Sequence, residues 1–204
     1  MELQGLILAG GKNRRMQGRF KGGLILGGET FLSILLAEMR KVSENILISV
    51  GDKPVDIPAG CQVVKDIYPG CGPMAGLQAG LAASHADLVL AAACDMPMLR
   101  AEFYLYLVDH FQKAVQEGKP CDGVVPLHEG RPEPLAAAYR ATAAGVFEQA
   151  LKSGQYRIRN ALDRLHILYV KPDDVYIPML QNINDPQEYD KVCQTITKHN
   201  SNVS

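Results

Sequence analysis

Five basic residues lie within ten positions near the start of the chain, with no acidic residue among them: Lys12, Arg14, Arg15, Arg19 and Lys21. This segment carries a charge of +5 in a chain whose net charge is −1, so the other residues together carry −6. Such a concentration of cations is typical of a site for a small polyanion, such as the phosphates of a nucleotide. A solvated surface loop is the alternative, because runs of like charge are often simply exposed.

The basic cluster follows a short apolar run and a pair of glycines. Residues 6–9 have the length and composition of one buried strand in a parallel sheet. At Gly10 and Gly11 the backbone can turn sharply or take a positive φ, and no side chain keeps a ligand at a distance. Backbone amides at such a turn can bind phosphate oxygens. The spacing matches neither a Walker P-loop nor the G-x-G-x-x-G fingerprint of dinucleotide-binding dehydrogenases.

Two aspartates stand at the ends of later predicted strands. Asp95 follows the apolar strand 87–93, and an unpaired carboxylate in the core there would be costly. We expect Asp95 to bind Mg²⁺, which takes one or two protein carboxylates together with phosphates and water. A helix N-cap or an ion pair with an arginine is the alternative. Asp66, at the end of strand 62–66, could accept hydrogen bonds from a nucleobase or ribose, assist the metal, or serve only as a turn residue.

Strands and helices alternate over the first 120 residues, which predicts a three-layer α/β/α sandwich on a mostly parallel sheet. The predicted strands cover 6–9, 45–50, 62–66, 87–93, 122–127, 135–139 and 166–170, and 135–139 could run antiparallel to its neighbour. The predicted helices cover 31–42 (with Thr30 as N-cap), 74–83, 101–117, 142–152, 157–165 and 186–198. Ligands bind at the carboxyl ends of parallel strands. We therefore expect the glycine loop, Asp66, Asp95 and the loop 182–185 on one rim.

The composition is that of one globular domain. With 204 residues, 47% of them hydrophobic and 21% charged, the chain can bury a substantial core. We predict a single domain over residues 1–198 and a frayed tail over 199–204. No apolar run approaches the length of about 18 residues that a membrane span requires, and the small net charge argues against a nucleic acid partner. Five scattered cysteines without a C-x-x-C pair fit the reduced thiols of a cytoplasmic protein.

Several motifs, in order along the chain, resemble one enzyme family. The segment from Leu8 to Lys21 is similar to the signature L-A-G-G-x-x-x-R-M-G-x-x-D-K of molybdenum cofactor guanylyltransferases, the MobA family. Ala-Gly-Gly favours guanylyl over cytidylyl transfer, since related enzymes have Ala-Ala-Gly. Further matches are Val64-Lys65-Asp66, Gly72-Pro73-Met74-Ala75-Gly76, Cys94-Asp95-Met96-Pro97, Arg131-Pro132-Glu133-Pro134-Leu135 and Asn182-Ile183-Asn184-Asp185-Pro186.

The resemblance implies a Rossmann-like nucleotidyltransferase fold and roles for the matching residues. Lys21 would contact the phosphates, Asp66 would help to hold the guanosine, and Asp95 would bind Mg²⁺. Asn182 and Asn184 would lie on the side that receives the pterin. The full set of positions implied to line or hold the nucleotide is Leu8, Ala9, Gly10, Gly11, Lys21, Asp66 and Asp95.

The implied reaction transfers GMP from GTP to molybdenum-molybdopterin and releases pyrophosphate. The terminal phosphate of molybdopterin would attack the α-phosphorus in line, and because it is already an anion it needs no strong general base. Arg15 and Lys21 would stabilise the departing pyrophosphate, and Asp95 with Mg²⁺ the α-phosphate. Molybdoenzymes or other proteins of cofactor biosynthesis are the implied partners.

The signature is altered at two positions of the basic segment. Gln17 stands where the family usually has glycine, and Phe20 stands where an aspartate usually precedes the lysine. The missing carboxylate could change loop closure, metal affinity or rate. Two alternatives therefore stay open: a carrier that binds nucleotide and pterin with weakened catalysis, and a transferase of the same fold that uses CTP or a sugar phosphate.

Overall fold

A computed structural model describes residues 1–10, 21–51 and 57–201 of the chain. The strands in these ranges are β1 (Leu3–Leu8), β2 (Ile25–Leu26), β3 (Glu29–Thr30), β4 (Ile46–Val50), β5 (Cys61–Lys65), β6 (Leu88–Ala93), β7 (Gly123–His128), β8 (Arg131–Pro132), β9 (Ala136–Tyr139) and β10 (Ile167–Val170). The helices are α1 (Phe31–Met39), α2 (Pro73–Ala83), α3 (Ala101–Gln116), α4 (Ala144–Lys152), α5 (Ile158–Leu162) and α6 (Pro186–Ser201). The order of elements confirms the predicted alternation of strands and helices.

The central sheet has the strand order β10-β7-β9-β6-β1-β4-β5, with β8 paired to β7. Strands β6, β1, β4 and β5 are parallel neighbours, and β10 is parallel to β7. Strand β9 runs antiparallel to both of its neighbours, β6 and β7. The sheet is therefore mostly parallel, and the expected antiparallel strand is β9.

Helices cover both faces of this sheet, which confirms the three-layer sandwich. Strand β1 shows how the layers are held together, because its side chains alternate between two cores. Leu6 and Leu8 pack on the face covered by α2 and α4, whereas Ile7 and Ala9 pack on the face covered by α1 and α3. Full burial of a large aliphatic side chain contributes about 1.5–3 kcal/mol. A strand buried on both faces must be apolar throughout, as residues 6–9 are.

A short hairpin formed by β2 and β3 lies where the sequence predicted no element. Gly27 and Gly28 form its turn with φ values of +61° and +93°, a region that favours glycine. Each strand has two residues, too few for an alternating pattern to be recognised. Helix α1 begins after the predicted N-cap, Thr30, whose hydroxyl accepts a hydrogen bond from Ser33 N–H at 3.0 Å.

A small third core joins the β2–β3 hairpin to the C-terminal part of the chain. Its buried residues are Leu26, Phe31, Ile183 and Val192. Phe31 and Ile183 are both fully buried, so the loop before α6 is fixed against the first turn of α1. Helix α6 reaches Ser201, whereas the sequence predicted an end near residue 198. Within the described ranges, none of the helices combines the length and apolarity needed to cross a membrane.

Candidate active site

Four parallel strands bring the predicted site residues to one edge of the sheet. Gly10 lies two residues beyond β1, Asp66 directly follows β5, and Asp95 lies two residues beyond β6. Strands β1 and β4 separate β6 from β5. Three strand spacings of about 4.8 Å put the Asp66 and Asp95 ends of the rim about 14 Å apart. An extended ligand lying over the ends of β1 and β4 would therefore contact both aspartates.

The end of β1 brings the backbone close to the neighbouring strand. The Ala9 N–H donates a hydrogen bond to the Ser49 carbonyl at 2.8 Å. A Cβ atom added to Gly10 would lie 2.9 Å from the Gly51 nitrogen, closer than a side chain can approach. Gly10 is not among the glycines with a positive φ, so glycine is needed here for the close approach of the two strands rather than for its backbone conformation. The side chains of Leu8 and Ala9 are buried, so their contacts to a nucleotide would be through the main chain.

Asp66 is held by the strand beside its own. The Ser49 hydroxyl, which is buried, donates a hydrogen bond to Asp66 Oδ1 at 3.0 Å. Helix α2 packs directly on this pair, since a Cβ atom added to Gly76 would lie 2.5 Å from Ser49 Oγ and 3.4 Å from Asp66 Oδ1. Asp66 thus has a fixed position at the rim, with its side chain half-buried. Ile67, the next residue, is 64% exposed and extends the rim with an apolar side chain.

Asp95 lies in a turn between β6 and α3, against the loop 182–185. The Ile183 N–H donates a hydrogen bond to the Asp95 carbonyl at 2.8 Å. The Met96 N–H donates to the Ala93 carbonyl at 3.1 Å, which closes the turn around Asp95. The residue is half-buried, and its Oδ1 atom is buried. The predicted proximity of the loop 182–185 to Asp95 is therefore confirmed by a direct main-chain hydrogen bond.

A second carboxylate, Glu133, lies near Asp95 in the segment between β8 and the antiparallel strand β9. In the pairing of β6 with β9, Ala92 is opposite Ala136, and the Ala93 N–H donates to the Leu135 carbonyl at 2.8 Å. Glu133 is close enough to Asp95 for the two charges to interact. The motif 131–135 contributes to the family resemblance, but nothing in the sequence assigned a role to Glu133. The one feature of the sequence that could have pointed to Glu133 is the strand predicted directly after it, at 135–139, which could run antiparallel to its neighbour.

The electrostatic environment of Glu133 shows which groups surround it. Burial raises the pKa of Glu133; the nearby His128 and a hydrogen bond from the Asn182 side chain lower it, and the charge of Asp95 raises it again, so that the pKa lies above its ordinary value. His128 Nδ1 lies 3.9 Å from Glu133 Oε1, and both side chains are 23% exposed. Glu133 therefore lies near Asp95 and Asn182, which are distant from it in sequence, and near His128 of its own hairpin.

The loop 182–185 is fixed at its far end by the start of α6. The Glu188 N–H donates to Asp185 Oδ1 at 2.9 Å, and Glu188 Oε2 accepts from the Asn184 N–H at 2.6 Å. These reciprocal bonds resemble a capping box and satisfy donors at the helix N-terminus. Asn182 and Asn184 are both half-buried. The loop thus places two amide side chains beside the Asp95 end of the rim.

Part of the predicted site lies outside the described residues. Gly11, Arg15 and most of the basic segment are among the residues that the structure does not describe. Lys21 begins a 3₁₀ turn over Lys21–Gly23, and its side chain is also outside the described part of the chain. The roles predicted for Gly11, Arg15 and Lys21 therefore stay predictions.

The donor chemistry at the Asp95 end fits Mg²⁺. Carboxylate oxygens are the ligands that this ion prefers, and one or two of them suffice when phosphates and water complete the shell. Over the described ranges, no group of three or more histidine, cysteine, aspartate or glutamate side chains is arranged to hold a metal ion. The described residues therefore form no metal site that is complete without a ligand. Asp95 could instead bind a metal ion whose other ligands are the phosphates of a bound substrate and water.

Comparison with known protein families gives one match that covers most of the chain. The model of the MobA-like NTP transferase domain matches residues 5–168. The chain belongs to this family. The matched region contains Asp66, Asp95 and Glu133, whereas the loop 182–185 lies beyond it.

Full-length relatives extend the similarity of this MobA-like chain over the C-terminal part. A protein of Methanothermobacter thermautotrophicus named "Probable molybdenum cofactor guanylyltransferase" is 27% identical over 191 residues, which are 89% of this chain and 94% of the relative. A protein of Bacillus cereus strain G9842 with the same name is 30% identical over 192 residues, 91% of this chain and 92% of the relative.

Solved structures agree with the family assignment. The molybdopterin-guanine dinucleotide biosynthesis protein A from Archaeoglobus fulgidus superposes with a TM-score of 0.79 at 26% identity, covering 96% of this chain and 99% of that one. A 2-C-methyl-D-erythritol 4-phosphate cytidylyltransferase from Thermus thermophilus superposes with a TM-score of 0.69 at 15% identity, covering 94% and 98%. The second likeness concerns the fold alone, a Rossmann-like nucleotidyltransferase fold.

Proposed function

We propose that this MobA-like protein transfers GMP from GTP to molybdenum-molybdopterin and releases pyrophosphate. The observation that carries the proposal is the hydrogen bond from the Ile183 N–H to the Asp95 carbonyl, at 2.8 Å. It joins the strand end that would face the phosphates to the loop that would face the pterin, in a chain whose relatives are named as guanylyltransferases. The two substrates would therefore meet beside Asp95.

The nucleotide would lie across the ends of β1, β4 and β5. Asp66, held by Ser49, would accept hydrogen bonds from the guanosine, while the main chain at Gly10 would approach the phosphates. Arg15 and Lys21 would neutralise the charge of the departing pyrophosphate. Each well-placed cation at such a position contributes several kcal/mol at the barrier.

Asp95 would hold Mg²⁺ at the end of β6. When bound, this ion supplies neutralisation of the negative charge on the phosphates and holds them in a fixed geometry. The chain itself contributes orientation: the turn after β6 fixes Asp95, and the loop 182–185 fixes the approach of the pterin. The attacking phosphate of molybdopterin is already anionic, so the reaction needs no side chain as a strong general base.

The same proposal includes the setting of the reaction. We infer a cytoplasmic enzyme, since the scattered cysteines fit a reducing compartment. The product would pass to a molybdoenzyme or to another protein of cofactor biosynthesis, which are the partners that the family resemblance implies.

A direct assay of nucleotide use tests the proposal. The purified chain is incubated with molybdopterin, Mg²⁺ and either GTP or CTP, and pyrophosphate release is measured. We expect release with GTP and much less with CTP. In parallel, a ligand present at about 100 times its Kd should add about 2.7 kcal/mol to the free energy of unfolding, so thermal shifts report which nucleotide binds.

The second candidate, a nucleotide- and pterin-binding carrier, is favoured by one observation, Phe20 in place of the usual aspartate. The same assay separates the two functions. Stabilisation by GTP without pyrophosphate release would favour the carrier, and restored release in a Phe20→Asp variant would show that the missing carboxylate is the cause. Release with CTP in place of GTP would instead favour the cytidylyltransferase alternative.

A further inference from the structure

One tyrosine of α6 holds the β2–β3 hairpin. The Tyr189 hydroxyl donates a hydrogen bond to the Ile25 carbonyl at 2.5 Å, between segments that are far apart in the chain. The ring of Tyr189 lies against Phe31, with the ring centroids 6.1 Å apart. A phenylalanine would make this ring contact as well, so packing does not explain the hydroxyl. The hydroxyl supplies a directional contact that fixes the hairpin relative to α6.

The hairpin follows directly on the segment that would contact the phosphates. Only Leu24 separates β2 from the turn Lys21–Gly23, and this turn packs against α1. The Phe31 N–H donates a hydrogen bond to the Leu24 carbonyl at 2.9 Å, which ties the two ends of the hairpin together at the start of α1. A movement of the hairpin would therefore move the main chain at Lys21.

Helix α6 follows directly on the loop 182–185, which would face the pterin. The Tyr189 N–H donates a hydrogen bond to the Asp185 carbonyl at 3.1 Å, in the first turn of the helix. Ile183 of this loop is fully buried in the third core, and its N–H donates to the Asp95 carbonyl at 2.8 Å. Tyr189 is thus tied through its main chain to the loop and through its side chain to the hairpin.

We propose that Tyr189 is a positioning residue for GMP transfer: its hydrogen bond to the Ile25 carbonyl sets the place of the main chain at Lys21 relative to the loop 182–185. This inference rests on the proposed function, which assigns the phosphates of GTP to the first segment and the pterin to the second. Each substrate binds chiefly at its own segment. The relation between the segments matters when the attacking phosphate must meet the α-phosphorus in line. Loss of the bond therefore lowers the rate of transfer rather than the affinity for either substrate.

Steady-state kinetics of the complete chain test this assignment. Tyr189→Phe keeps the ring and removes only the hydroxyl. We expect kcat for pyrophosphate release to fall by about fivefold, the size expected for the loss of one hydrogen bond. The KM values for GTP and for molybdopterin should stay within about twofold of wild type. A role in stability alone would leave kcat of the folded protein unchanged, and that result would overturn the proposal.

Two control variants separate this bond from other effects of the substitution. Tyr106→Phe also removes a tyrosine hydroxyl that donates to a carbonyl, that of Lys171, at 3.3 Å, but between α3 and the segment after β10. Cys193→Ala removes the thiol that lies beside the Tyr189 hydroxyl. Both controls should keep kcat at the wild-type value. A loss in Cys193→Ala as large as in Tyr189→Phe would overturn the role of the bond to Ile25.

Hydrogen exchange measures the same connection without a reaction. Mass spectrometry follows the backbone amides of residues 24–31 and 182–185, with those of α3 as the internal reference. Amides that are hydrogen-bonded in a closed structure exchange when it opens locally. We expect exchange in both segments to be about fivefold faster in Tyr189→Phe than in wild type, and exchange in α3 to be unchanged. Equal acceleration in α3 would indicate general destabilisation and would overturn the proposal.

Failure of the inference can be told apart from failure of the proposed function. A wild-type chain that releases pyrophosphate with GTP, and whose kcat is unchanged in folded Tyr189→Phe, would keep GMP transfer and reject the role of Tyr189. A wild-type chain that releases none, but in which Tyr189→Phe speeds exchange in both segments alone, would reject GMP transfer and keep Tyr189 as the residue that positions them. Circular dichroism and thermal melting confirm that each variant is folded.

Discussion

The two ends of the rim hold their aspartates in different ways. At one end, Asp66 accepts a hydrogen bond from Ser49 on the adjacent parallel strand, and Gly76 of α2 packs on both. At the other end, Asp95 meets a second carboxylate, Glu133, and bonds through its carbonyl to Ile183. The first end is built within residues 49–76, whereas the second joins segments that are far apart in the chain.

This difference shows what each end is prepared to bind. A carboxylate that is already bonded to a hydroxyl has a fixed position and suits a neutral polar group, such as a nucleobase or ribose. Two neighbouring carboxylates repel each other when both are ionised, so they favour the binding of a cation beside them. The Asp66 end therefore contributes position, and the Asp95 end contributes charge.

The largest effect should come from removing the charged end. Asp95→Ala is expected to lower the rate of GMP transfer by about 10²–10³-fold or more, because it removes the proposed metal ligand. The melting temperature should stay the same or rise, since the repulsion with Glu133 is relieved. Pyrophosphate release and thermal melting measure the two quantities. Lys21→Ala should also abolish turnover with the fold intact, and near-normal transfer in either variant would remove the assigned role.

Two glycines on one face of α2 make different contacts: Gly76 packs against Ser49 and Asp66, whereas Gly80 packs against Leu6 in the core. Gly76→Ala places a Cβ atom 2.5 Å from Ser49 Oγ, and Gly80→Ala places one 2.3 Å from Leu6 Cδ2. Each substitution should cost about 1–3 kcal/mol in the free energy of unfolding, measured with denaturant.

Only the first of these variants should affect nucleotide binding. Gly76→Ala pushes the Ser49 hydroxyl away from Asp66, so the KM for GTP should rise, whereas Gly80→Ala should leave it unchanged. An equal rise in both variants would mean that stability, rather than the position of Asp66, controls GTP binding.

A milder change tests the Ser49–Asp66 hydrogen bond itself. Ser49→Ala removes a bond worth about 0.5–1.5 kcal/mol, so we expect the KM for GTP to rise by about 2–12-fold. The KM for molybdopterin should not change, because Asn182 and Glu133 lie at the other end of the rim. A rise in the pterin KM of the same size would contradict the separation of the two ends.

The smallest expected effect concerns stability alone. Glu38 Oε2 accepts a hydrogen bond from the Ala101 N–H at 3.0 Å, at the start of the helix that follows Asp95. Burial alone would raise the pKa of Glu38, but hydrogen bonds from Lys41 and Ala101 outweigh it and hold the pKa below its ordinary value of 4.5. The ionised form therefore stabilises the folded state above the unfolded pKa, and this contribution is lost as the pH falls through the folded pKa.

Glu38→Gln should accordingly lower the free energy of unfolding by about 1 kcal/mol at pH 7, and the difference from wild type should shrink below about pH 4.5. Denaturant titrations at several pH values measure it. The matched control is Asp109→Asn, which removes the ion pair with Lys113 on α3, the helix whose start Glu38 caps. The Asp109 side chain is 54% exposed, so this substitution should change stability less. A difference for Glu38→Gln that persists unchanged at low pH would contradict the role of its charge. Neither variant should alter the KM values.

Much of the scaffold follows from local patterns in the sequence. The apolar runs of β1 and β6 predict strands buried on both faces, and Thr30 predicts the start of α1, because these signals depend on neighbouring residues only. The β2–β3 hairpin was not predicted, because strands of two residues are too short to show an alternating pattern of apolar and polar residues. Asp66 and Asp95 could be placed on one rim because parallel strands share the direction of their carboxyl ends.

The contacts of Glu133 could not be obtained in this way. Its place near Asp95 depends on β9 lying between β6 and β7, and the place of Asn182 near both depends on how the loop before α6 packs on α1. Both are choices among distant partners that no local pattern encodes. The sequence by itself determined the layers, the strand ends and the family, since each depends on residue order. Only the tertiary structure decided which side chains from separate segments face each other, because that depends on the free energy of the whole packed sheet.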